Sequence, residues 1–303
     1  LQFRKKFKFG HDMELNPVAG DISGKVKYNS IMAEQALAGR YLDSVELAKK
    51  IVPGKIKGIS FKPNAAMLKP IYRVLTDASK VAGKENTYYF HLWAGKADSG
   101  KQDSNFSKVI YVTTDSNNVE LSNENMYSIE DFVYHRMSAA EARTYNASTK
   151  EGNEFIDTAK KGDPVILLGM HVSTRETQRW TWQSFYWTES PDNPVFPSSA
   201  LIATGRKKLS PSIEGAASHY AVSIGYSMMS PALPYKSTDG HAIDIYKQNV
   251  TPVYALNPYI EGTFGPDVFP LQDSIYNKAN GYRKQLYKSN INGITSNCMS
   301  CHS

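Results

Sequence analysis

The sequence predicts a mainly β fold of the α+β kind: an antiparallel β-sandwich or barrel-like domain, followed by a short C-terminal segment of different texture. Three observations predict it. From about residue 59 to 257, short runs rich in Val, Ile, Tyr, Trp and Phe recur between clusters of Gly, Pro, Asn, Asp and Ser. The helical patterns between these runs are few and short, which disfavours a parallel α/β sheet. With 41% hydrophobic and 21% charged residues in 303, the chain has the composition of a globular domain with a sizeable core.

Three sections follow in order. Residues 1–58 form an irregular and helical N-terminal segment. Residues 10–29 are rich in Gly, Pro, Asp and Asn and read as a lead-in. A helix capped by Ser30 comes next, with Leu37, Tyr41, Val45, Ala48 and Val52 at helical spacing and Pro53-Gly54 as its stop.

Residues 59–257 are the antiparallel β domain, with strands expected at 67–75, 87–93, 109–113, 165–173, 180–188, 219–228 and 252–256. In the run from Trp180 to Trp187 the aromatic phase slips after Trp182, which suggests a bulge. Ser138-x-x-Glu141 reads as a capping box, and a second short helix is expected over 151–160. The Pro- and Ser-rich stretch 189–218 reads as a long surface loop. Residues 258–303 form the last section. Asn257-Pro258, Gly262, Gly265, Pro266 and Pro270 break regular structure there, and a helix is expected over 274–287.

Composition excludes several functions. No run of eighteen apolar residues occurs, so no transmembrane segment is expected. The net charge is +6, but the basic residues are scattered and accompany no nucleic-acid module, so nucleic acid is not the expected partner. The one dense cluster, Arg4, Lys5, Lys6 and Lys8 among Phe3, Phe7 and Phe9, reads as a solvated terminus. No P-loop, G-x-G-x-x-G, H-E-x-x-H or Ser-His-Asp arrangement is visible.

The C-terminal segment carries the informative motif: Cys298, Met299, Ser300, Cys301, His302. This is C-x-x-C-H, the attachment sequence of c-type haem. Two thiols three residues apart lie on one face of a helical turn and can add to two vinyl groups along one porphyrin edge. The adjacent imidazole then ligates the iron from below. These are the only two cysteines, and chance would place them so, with a following His, on the order of 1 time in 7,000. A dithiol or disulfide pair and half a zinc site are the alternatives; zinc would need further ligands and no second Cys pair exists.

The expected cofactor is therefore covalent haem c, bound by Cys298, Cys301 and His302, with His302 as iron ligand. Such attachment implies a periplasmic or otherwise extracytoplasmic bacterial protein, and Leu1 in place of Met fits removal of a leader. The expected function is electron transfer with a redox partner protein, an acidic one given the positive charge. The rivals are a haem-dependent, peroxidase-like oxidoreductase and a β-sandwich binding module. A sixth iron ligand must come from elsewhere. His171, beside Met170, is the candidate metal ligand or distal residue, ahead of His91, His135 and His219.

Several segments resemble a family of poorly characterised bacterial proteins regarded as predicted c-type cytochromes. They are Gly169-Met170-His171-Val172, Arg179-Trp180-Thr181-Trp182 with Ser184-Phe185, His219-Tyr220-Ala221, Asn257-Pro258-Tyr259-Ile260-Glu261 and Asn297-Cys298-Met299-Ser300-Cys301-His302. The resemblance covers roughly residues 165 to 303. It implies haem attachment at Cys298 and Cys301 with His302 as proximal ligand, and gives the other segments no role.

Overall fold

The structure, a computed structural model, describes residues 22–24, 26–50, 61–93, 108–115, 125–149, 158–176, 180–192, 200–208, 213–224, 229–230, 251–252 and 257–260. Among the described residues the first elements are two short strands, β1 (Ile22–Gly24) and β2 (Lys27–Tyr28), and two helices, α1 (Ser30–Ala38) and α2 (Ser44–Lys50). The single helix expected from Ser30 to Pro53 is thus interrupted. Arg40 takes a left-handed conformation with φ 51°, and Asp43 starts α2 by accepting from the Val45 and Glu46 amides at 3.0 and 3.2 Å.

The cap of α1 is Asn29 rather than Ser30. Its Oδ1 accepts from Met32 N and Ala66 N, both at 3.1 Å, so it ties the helix to the first long strand. The expected apolar stripe does not face inward: Leu37 and Val45 are 51% and 63% exposed, while Met32 and Ala36 are buried.

The β domain continues with β3 (Ala66–Val74), β4 (Lys80–Val81), β5 (Lys84–Leu92), β6 (Lys108–Thr113), β7 (Met126–Ser128) and β8 (Tyr134–Arg136). Helix α3 (Ala139–Thr149) begins at the expected box, in which Glu141 N donates to Ser138 Oγ and Ser138 N to Glu141 Oε2. After β9 (Pro164–Thr174) and β10 (Thr181–Trp187), the expected long loop contains a helix, α4 (Ala200–Lys207). The Ala200-Leu201-Ile202-Ala203 run supplies good helix formers where Pro and Ser had suggested irregular chain. Strands β11 (Tyr220–Ile224), β12 (Met229–Ser230) and β13 (Thr251–Pro252) follow. The expected helix at 274–287 lies outside the described residues, as does 151–157 of the one expected at 151–160, whose last three residues are not helical.

Two sheets pack around one core. The larger has the order β1-β3-β9-β10-β11, with β2 also on β3 and β8 also on β9, all antiparallel. The smaller has the order β4-β5-β6-β7, with one parallel pair, β6 and β7. Strand β9 is central because its run Val165–Leu168 is buried throughout, as a strand covered on both faces requires. Tyr88, Phe90 and Leu92 of β5 and Ile110 and Val112 of β6 alternate inward and meet Ile71, Leu167 and Trp187 of the larger sheet. The architecture is a mostly antiparallel sandwich-like α+β fold.

No bulge occurs in β10, whose register runs unbroken against β9 and β11. The shift lies instead between Ile71 and Tyr72 of β3, opposite β9. Aromatic residues appear on both sides of β10 because both sides are covered. Trp187 stacks on Phe132 at 4.5 Å and 15°, meets Tyr127 edge-on at 5.0 Å, and donates from Nε1 to the Asp131 carbonyl at 3.0 Å.

Candidate functional site

Those segments of the resemblance that fall among the described residues lie apart in sequence and together in space. Gly169–Val172 is in β9, Trp182 and Ser184-Phe185 are in β10, Tyr220-Ala221 is in β11, and residues 257–260 form a buried turn. The register sets Ser184 beside His171 and Tyr186 beside Gly169, with Ala221 next to Tyr186 on the far side. Cys298, Cys301 and His302 lie outside the described residues, as do His11, Arg179, His241 and Glu261.

Asn257 joins these strands. It is fully buried. Its Nδ2 donates to Ser184 Oγ and to the Phe185 carbonyl, both at 3.0 Å, and its Oδ1 accepts from the Tyr259 amide at 3.1 Å. The plug fits only because residue 169 is glycine: a Cβ there would come within 2.7 Å of Asn257 Nδ2 and 2.8 Å of Oδ1. Tyr259 continues the anchor by donating its hydroxyl to the Trp187 carbonyl at 3.3 Å, and it sits with Ile260 in the main core. Burial pushes the Tyr259 pKa well up, with the Tyr220 hydroxyl adding to the effect.

His171 is half-buried, and its Nδ1 lies 3.0 Å from Ser184 Oγ. Lys69 of β3 is its cross-strand neighbour on the other side, so the three residues share a face. Ser173, two residues along, lies on that face as well. It is 1% exposed, and its Oγ has no hydrogen-bond partner among the described residues. Met170 points to the opposite face and packs against the main core.

The other histidines serve different contacts. His219 stacks on Trp187 at 12° and places Nε2 3.4 Å from Asp131 Oδ1, while Asp131 Oδ2 accepts from Ser128 N at 2.9 Å. His135 is exposed, 3.4 Å from Glu141, and meets the Tyr72 ring edge-on. His91 faces away from the core on β5, opposite Val109. A polar cluster the sequence did not reveal lies near Trp187: Tyr127 donates to Glu189 Oε1 at 2.7 Å, and Lys108 pairs with the other carboxylate oxygen. Burial, then the Glu189 hydrogen bond, pushes the Tyr127 pKa up.

Among the described residues no three His, Cys, Asp or Glu side chains cluster to hold a metal ion. On this sheet face the His171 imidazole has its Nδ1 engaged by the buried Ser184 hydroxyl. Ser184 and Asn257 were missed as site residues because their partners are remote in sequence; Asn257-Pro258 signals only a break. Compared with known proteins, the chain matches no family model, no curated protein and no solved structure.

Proposed function

We propose that the chain is an extracytoplasmic monohaem c-type cytochrome that transfers electrons. The observation that carries this reading is Cys298-x-x-Cys301-His302, built from the only two cysteines in the chain. Cys298 and Cys301 would hold haem c through thioether bonds, and His302 would ligate its iron. When bound, the haem supplies a one-electron ferric/ferrous couple. The chain's own part is to anchor, shield and orient. The turn at 257–260 is pinned to β10 and would serve as the anchor for the motif-bearing segment that follows it in sequence. His171 on the same sheet face is the residue offered to the distal side.

The positive charge suits an acidic redox partner, whose docking rate would fall as salt rises. No helix among the described residues is long and apolar enough to cross a membrane. The periplasm is the compartment we assign, because covalent haem attachment takes place outside the bacterial cytoplasm. A second reading, a haem-dependent oxidoreductase of peroxidase-like chemistry, is favoured by the hydrogen-bonded His171 near the sheet surface.

The test is an intact mass together with acid–acetone extraction and a pyridine haemochrome spectrum. A mass increment of one haem, with colour retained by the protein after extraction, supports covalent haem c. Colour that leaves with the solvent, or a chain mass without increment, overturns it. A low-spin spectrum then favours electron transfer, and a high-spin one the oxidoreductase.

A further inference from the structure

The main core holds two aromatic rings in contact whose hydrogens have different acceptors. Trp187 is fully buried, and its indole N–H donates to the Asp131 carbonyl at 3.0 Å. The half-buried Tyr127 ring meets it edge-on at 5.0 Å, the usual spacing of touching rings. The Tyr127 hydroxyl donates at 2.7 Å to Glu189 Oε1, and Lys108 pairs with the other carboxylate oxygen.

Tyr220 and Tyr259 lie deeper in the same core, and they donate to the carbonyls of Leu167 and Trp187. A carbonyl accepts a hydrogen bond but is far too weak a base to take the proton, whereas a carboxylate can take it. Of the three tyrosines, Tyr127 therefore has the acceptor that lets a phenol lose an electron and a proton together. Burial, then the Glu189 hydrogen bond, raises its pKa, so the phenol keeps its proton until the electron leaves.

We propose that Trp187, Tyr127 and Glu189 form a proton-coupled drain that carries oxidising equivalents out of the core. A one-electron oxidant of the carbonate-radical class takes one electron from the Trp187 ring and becomes carbonate. Tyr127 returns one electron to Trp187; its O–H bond breaks and the proton passes to Glu189 Oε1. Trp187 is then restored, Tyr127 is a neutral phenoxyl radical, and Glu189 is a carboxylic acid. A small thiol or ascorbate in solution gives back one electron, and the proton returns to the phenol. Tyr127 is the electron donor, Glu189 its base and Trp187 the relay. The drain needs no haem and goes beyond electron transfer to a partner protein.

Peroxynitrite in bicarbonate buffer tests it on the full chain. The mixture supplies carbonate radical together with nitrogen dioxide, which adds to a phenoxyl ring and records it as nitrotyrosine, read by peptide mass spectrometry. Nitration of Tyr127 should fall several-fold in Glu189→Gln, which keeps a hydrogen-bond acceptor but no base, and in Trp187→Phe, which keeps a ring but no relay. Tyr134, bonded to Glu130, is the internal reference and should be unchanged in both. In Tyr127→Phe the oxidation of Trp187 to kynurenine should rise several-fold, because the hole has nowhere to go. Near-ultraviolet circular dichroism checks that each variant is folded, and Glu189→Gln with Tyr127→Phe decides the matter if Trp187→Phe is not. Unchanged nitration of Tyr127 in a folded variant, an equal fall at Tyr134, or unchanged Trp187 oxidation in Tyr127→Phe overturns the drain.

Discussion

Gly169→Ala is a one-carbon change with a large expected cost. Position 169 is within β9 and its φ lies outside the left-handed region, so alanine meets no backbone strain there. The cost comes from Asn257. The new Cβ would approach Nδ2 to 2.7 Å, Oδ1 to 2.8 Å and Cγ to 3.1 Å, where ordinary contact begins near 3.4 Å. The amide is boxed in by three hydrogen bonds of 3.0–3.1 Å and cannot yield without breaking them.

At about 1 kcal/mol each, with a further penalty for buried groups left unmatched, displacement costs about 3–4 kcal/mol. Alanine returns about 0.4–1 kcal/mol by narrowing the unfolded ensemble. The net expectation is about 2–3 kcal/mol, read as a lowered urea midpoint with Trp fluorescence as probe. Asn257→Ala should cost a similar amount alone. In Gly169→Ala/Asn257→Ala the obstruction is gone, so the double variant should be no less stable than Asn257→Ala, a coupling of about 2 kcal/mol. A Gly169→Ala variant within about 0.5 kcal/mol of wild type, or costs that simply add, would refute the plug-and-notch account.

Other outcomes follow from the same geometry. Trp187→Ala removes a fully buried ring stacked between Phe132 and His219 and should cost about 3–5 kcal/mol in the same denaturation assay; under 1 kcal/mol would contradict its place in the core. Arg206 donates from Nε to the Tyr220 carbonyl at 2.9 Å and from Nη2 to the Ser218 carbonyl at 2.5 Å. Arg206→Lys keeps the charge but not the fork, and should lower stability by about 2 kcal/mol in calorimetry, whereas a neutral result would assign those contacts no weight.

Burial raises the pKa values of Tyr220 and Tyr259. A raised folded pKa stabilises fully below the unfolded value near 10 and is lost as pH climbs above it, at about 1.4 kcal/mol per pH unit per group. Unfolding free energy should therefore fall steeply above about pH 10. Tyr259→Phe should flatten that fall in a pH series of urea titrations, and an unchanged slope would show that its hydroxyl titrates normally.

How much of this was legible in the sequence depended on the range of the interaction. The Val165–Leu168 run and the alternation of Tyr88, Phe90 and Leu92 announce strands, because burial acts on each residue where it stands. The capping box at Ser138 and Glu141 is equally local. The break between α1 and α2 was hidden because Leu37, Tyr41 and Val45 continue a helical spacing that the fold does not use; two of them face solvent. Helix α4 was hidden by the prolines around it. His171 stood out as a residue type, but its role depends on Ser184, on the neighbouring strand, and on Asn257, which reaches the Phe185 carbonyl across 72 positions of chain. Such partnerships leave no periodic trace.

The pairing of β3 with β9 also has a consequence for the order in which the molecule can assemble. Val74 is matched to Val165 and Ala66 to Thr174, so roughly ninety residues or more must be made before β3 finds its neighbour. The hairpin of β5 and β6 and the β4 turn need no such wait and can form early. Until then β3 is an exposed edge, open to pairing with other chains. Asn257 arrives later still, and only then do Ser184 and Phe185 gain their buried partner. Stalled chains released before residue 260 should therefore bind a holdase and aggregate, while chains released just after it should resist protease across β9 and β10. Among the described residues, the latest tie to this sheet is made by the turn at 257–260, so the strands it joins are assembled before that turn can dock.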